Sequence, residues 1–79
     1  MTPAQHTTAA STELATNSPS PIEAELAALR AHAHAVLGTA AGTGTNYTDA
    51  EAELVLASNP SATRTVHVHR AIALALLAE

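Results

Sequence analysis

Ile22, Leu26, Leu29, Ala33 and Val36 follow one another at spacings of four, three, four and three, the interval that stacks side chains on one side of an α-helix. The flanking residues agree. Ser20 is placed to cap the first turn, Pro21 takes the first helical position, and Glu23 stands three residues after the cap, as in a capping box. Ala, Leu and Glu dominate the run to Leu37, and Gly38 follows it. These are strong helix formers ahead of a residue suited to a left-handed stop, so a helix over 21–37 is predicted. Glu23 and Glu25 near its start, and Arg30, His32 and His34 toward its end, complement the helix dipole.

Beyond this helix the pattern is less regular. Thr39 to Asn46 reads as a Gly/Thr/Ala loop, and Thr48 followed by Glu51 predicts a second capped helix over 48–57, ended by Asn59-Pro60. Leu54, Val55 and Leu56 are contiguous, so at least one of them must face away from a single apolar stripe. Farther on, Val66, Val68, Ile72, Leu74 and Leu76 keep a period of two, which suits a strand. Ala71, Ala73, Ala75 and Ala78 favour helix instead, and there is no second strand for pairing. Helix over 62–78 is expected, with Val68, Ile72, Ala75 and Leu76 on one face; a strand over 63–69 is the alternative.

Residues 1–20 show no apolar period. Thr, Ser, Pro and Ala dominate, and Leu14 is the single sizeable aliphatic residue after Met1. They read as a flexible arm, disordered or ordered by a partner. The expected fold class is therefore all-α, a small three-helix domain over 21–79 preceded by that arm.

Composition narrows the function. The 79 residues hold three arginines and no lysine against seven acids, for a net charge of −4, and cysteine and tryptophan are absent. Of the residues counted as 47% hydrophobic, 20 are alanine, so the aliphatic core is small. A short chain with little to bury and no disulfide often gains stability by pairing, so another protein or a second copy is the expected partner. The acidic balance argues against nucleic acid. The longest apolar run, Ala71 to Ala78, falls well short of the roughly 20 residues that span a bilayer, and no signal peptide is expected. The expected location is the cytoplasm, or a virion assembled there. A small phage-particle component or a phage-encoded adaptor from a high-GC background fits this usage.

The candidate motifs resolve into structural readings. His32/His34 and His67/His69 form two His-x-His pairs, but on a helix residues two apart point about 200° from each other, so neither pair chelates. On a strand His67 and His69 would share a face, which leaves two ligands where zinc needs three or four. Gly42-Thr43-Gly44 lacks the strand, the Lys and the basic setting of a phosphate loop. With no cysteine nucleophile and no lysine, no enzyme activity, cofactor, metal or small-molecule substrate is expected.

Tyr47-Thr48-Asp49-Ala50-Glu51, then Leu54-Val55-Leu56, a turn at Asn59-Pro60-Ser61 and a last helix containing Arg70 resemble a Myb-like, homeodomain-like helix-turn-helix over residues 47–79. The resemblance implies a DNA-binding regulator. Where that family carries a recognition helix, Ala71 to Glu79 offers no base-edge donor and no cation. The favoured expectation is thus a non-enzymatic interaction or assembly protein. Its contact residues are expected to be Ile22, Leu26, Leu29 and Val36 on the first helix with Ile72 and Leu76 on the last; a helix-turn-helix regulator is the alternative.

Overall fold

The computed structural model describes residues 1–79 as four α-helices with no strand: α1 (Pro3–Ala15), α2 (Pro21–Leu37), α3 (Thr45–Ser58) and α4 (Arg64–Leu77). The all-α class follows the sequence pattern; the helix count does not. Residues 3–15 form α1, which packs on α2, where a flexible arm was expected. Its start is fully capped. Thr2 accepts a hydrogen bond from the Gln5 amide at 3.2 Å, the Gln5 side chain accepts from the Thr2 amide at 2.8 Å, and Pro3 takes the first position. The radius of gyration is 11.6 Å. A compact chain of this length has about the same value, as it must if α1 lies against the body.

The core lies where α2, α3 and α4 meet. Ala33 and Leu37 of α2, Tyr47, Ala50 and Leu54 of α3, and Ala71 and Ala75 of α4 form the larger cluster. Leu26, Ala57 and Val68 form a smaller one, one residue from each of the same helices. Eight of the thirteen buried hydrophobic residues are alanine, which lets the helices approach closely but leaves little aliphatic volume between them. The molecule is correspondingly thin, with extents of 36 × 24 × 15 Å.

α2 keeps its expected bounds of 21–37; two helix starts and the geometry of the α2 stop differ from expectation. α3 begins at Thr45, because Gly44 at φ 99° turns the chain into the helix one turn before Thr48. Thr48 is therefore no cap; its hydroxyl donates to the Gly44 carbonyl at 3.1 Å. α4 runs from Arg64 rather than 62, and 64–69 are helical, so the period of two reflects no strand. Gly38 ends α2 in right-handed geometry at φ −64°, not the left-handed stop, and its lack of a side chain serves another purpose: α1 passes beside it.

Ion pairs tie neighbouring helices. Arg30 of α2 meets both carboxylate oxygens of Glu13 on α1 at 3.2 Å. Arg64 of α4 pairs with Glu23 of α2. Glu53 of α3 accepts from Arg70 at 2.9 Å and bonds the His67 ring at 2.6 Å, both on α4. Every arginine in the chain is engaged by a carboxylate on another helix.

Candidate functional site

The side of α1 that faces the body carries Pro3, His6, Ala10 and Glu13, at spacings of three, four and three. No large aliphatic residue sits among them, and Leu14 is 71% exposed. α1 is thus seated by polar groups. Across from it, Ala27, Arg30, Ala31, His34 and Gly38 share one side of α2 by helical spacing. The buried alanines Ala10, Ala27 and Ala31 allow the two helices to approach closely.

His6 is the one buried polar residue of the protein, 1% exposed. Its Nε2 lies 2.8 Å from Oε2 of Glu51 on α3, and its Nδ1 lies 2.8 Å from Nδ1 of His34 on α2. The Met1 amino group lies 2.9 Å from the same Glu51 oxygen, and the Tyr47 hydroxyl donates to the Met1 carbonyl at 2.9 Å. The Tyr47 ring stands edge-on to His6 with centroids 5.5 Å apart. Three helices and the chain start converge on one imidazole.

The bonding pattern sets the protons. An ionised Glu51 only accepts, so His6 carries its hydrogen on Nε2 and presents a lone pair at Nδ1. His34 then donates from Nδ1, and its Nε2 is left as a free acceptor. No buried side-chain nitrogen or oxygen lacks a partner, so that Nε2 is open to solvent. Burial, then the neighbouring His6, hold His34 below the usual imidazole value. Burial pushes Glu51 up, but hydrogen bonds from the Met1 ammonium and His6, with their charges, leave it below the ordinary carboxylate value. Burial raises Tyr47, with the Glu51 charge adding to the effect.

An open cleft of about 450 Å³ lies over this cluster, lined by Met1, His6, His34, Glu51, Leu54 and Val55 among others. Carboxylate, imidazole and imidazole in sequence can hold and pass a proton. The two hydroxyls at the cleft are already committed: Thr48 donates to Gly44 and Ser58 to the Leu54 carbonyl. Neither is activated as a nucleophile. No group of three or more His, Cys, Asp or Glu is arranged to hold a metal ion, and no helix is long and apolar enough to cross a membrane.

The residues expected to contact a partner are divided by the fold. Leu26 is buried with Ala57 and Val68, and Leu29 packs beside them. Val36 and Ile72 are partly buried against the larger cluster. Ile22 and Leu76 are exposed and belong to neither cluster, one at the start of α2 and the other near the end of α4. The histidine pairs also split: His34 turns toward His6 and His67 toward Glu53, while His32 and His69 face solvent. His6 and Glu51 entered no expected site, since nothing in their sequence neighbourhoods links positions 45 residues apart.

No protein-family model, curated protein or solved structure matches the chain.

Proposed function

We propose that this chain is a non-enzymatic assembly protein that packs against a second copy of itself through the exposed side of α4. One observation carries the reading. Eight of the 17 larger apolar residues are exposed, and three of them, Val66, Leu76 and Leu77, lie on α4. Val66, His69, Ala73 and Leu76, all exposed, succeed one another at spacings of three, four and three, the interval of a coiled-coil seam, with Leu77 alongside. A two-fold contact uses the same patch on both partners, so one such seam suffices for a dimer.

The alternative of a helix-turn-helix regulator draws less support. Duplex binding relies on cations that neutralise phosphates, and all three arginines here are held by Glu13, Glu23 and Glu53. The exposed side of α4 instead offers aliphatic surface, which suits protein.

Sedimentation equilibrium over a dilution series tests the proposal. The wild type is expected to associate, and a double variant with Leu76→Glu and Leu77→Glu to sediment as a monomer with unchanged helical circular dichroism. A wild type that stays monomeric up to about 100 µM would overturn it, since a contact that weak is worth little more than about 5 kcal/mol.

A further inference from the structure

We propose that α1 is an acid-released helix, held in place by a histidine pair that has room for one proton fewer when docked than when free. The geometry carries this. The two Nδ1 atoms of His6 and His34 are 2.8 Å apart, a hydrogen-bond distance that accommodates a single hydrogen between them. His6 has already placed its one ring hydrogen on Nε2 toward Glu51, and the hydrogen in the gap belongs to His34. A proton arriving from solvent can enter at the open Nε2 of His34, giving an imidazolium that still donates to His6. A second proton has no site: His6 Nδ1 is occupied, and two N–H groups cannot face each other across that gap. Once α1 leaves, both imidazoles are free to take a proton each.

The surrounding charges do not offset this. Just before α1 the Met1 ammonium, and on α1 Glu13, face the cluster; on α2, Arg30 stands with His34; on α3, Glu51 and the Tyr47 phenol complete the ring. With both imidazoles charged, four cations would meet two carboxylates. Burial first and His6 second already lower His34 from the usual imidazole value.

The remaining ties are few. α1 buries only His6 and Ala10, Glu13 pairs with Arg30, and Met1 just before the helix bonds Glu51 and the Tyr47 hydroxyl. The core clusters are built from α2, α3 and α4 alone, so they survive its departure. Release uncovers the small-residue side of α2, at Ala27, Ala31 and Gly38. For each extra proton bound by the undocked state, docking weakens about tenfold per pH unit below the ordinary histidine value of about 6.5.

The test is amide hydrogen exchange on the full chain, followed by NMR from about pH 7.5 to about pH 5, dilute enough that the chain is monomeric. Tyr47, the chain's one aromatic residue, reports in parallel by fluorescence, because its hydroxyl bonds Met1 and its ring meets His6. Protection of the α1 amides is expected to hold down to about pH 6.5 and then to fall about tenfold per pH unit, while α2–α4 amides hold theirs. In His34→Asn the amide can donate to His6 or accept from it, so α1 is expected to stay docked through that range. The proposal is overturned if α1 protection is independent of pH, if all four helices lose protection together, or if His34→Asn releases α1 at the wild-type pH. Should that variant not fold, the order of loss in the wild type decides by itself.

Discussion

A methyl group on Gly38 would overlap the hydroxyl oxygen of Thr7. That oxygen is fixed, because the hydroxyl donates to the Pro3 carbonyl at 3.2 Å. The absence of a side chain at the end of α2 is what lets α1 lie alongside.

Gly38→Ala is therefore expected to destabilise the protein by about 1–2 kcal/mol, the usual scale of a small overpacking, despite alanine's better helix propensity. The backbone itself, at φ −64°, accepts alanine without strain. In a Thr7→Ala background the collision is removed, and the same substitution becomes neutral or stabilising. Thermal melts of the four-member cycle check this; additive effects would contradict the contact.

Leu26→Ala is expected to lower folding stability by about 2–5 kcal/mol, as for other fully buried leucines. The side chain is 2% exposed and packs on Ala57 and Val68 within one chain. Leu76→Ala removes a side chain that is 51% exposed and should change the stability of the monomer by no more than about 0.5 kcal/mol. Denaturant titration at low concentration separates the two.

How far these features were readable in the sequence differs from helix to helix. α2 announces itself through both its apolar period and its cap. α1 carries the same kind of cap, Thr2-Pro3 with Gln5, and its inward residues keep the 3-4-3 spacing. That spacing is filled by proline, histidine, alanine and glutamate, so a search for apolar periodicity passes over it. The polar cluster is invisible for a different reason: His6, His34 and Glu51 meet only once three helices are placed. The stripe on α2 was legible as a stripe, but exposure is a tertiary property, and Leu26 proves to face its own chain. In α4 the strict alternation arose because large residues occupy both sides of the helix, Val68 and Ile72 toward the core and Val66 and Leu76 toward solvent.

Glu53 straps α3 to α4, and its acid lability can be assigned a window. Hydrogen bonds from Arg70 first and His67 second hold its carboxyl below the ordinary value of 4.5. A depressed carboxylate binds fewer protons folded than unfolded, so its stabilisation is complete above pH 4.5 and is lost as pH falls through the lowered value. Glu51, also depressed, adds in the same direction. His34, lowered from 6.5, begins to withdraw its contribution earlier, as pH drops below that value. Glu53→Gln is expected to cost about 1 kcal/mol at neutral pH, the exposure of Arg70 reducing what a buried pair would give. Its melting temperature should also fall less steeply below pH 4.5 than that of the wild type. Equal acid slopes for the two proteins would contradict the assignment.

The claim that copies of this chain meet through α4 is tested most directly by cross-linking, because the chain has no cysteine of its own. Single cysteines are placed on the exposed seam as His69→Cys and Ala73→Cys, and on the exposed side of α2 as Ala28→Cys for comparison. Under mild oxidation at least one seam variant is expected to form a disulfide dimer about tenfold or more faster than Ala28→Cys, since a paired seam raises the local thiol concentration. Equal rates at all three positions would contradict the account.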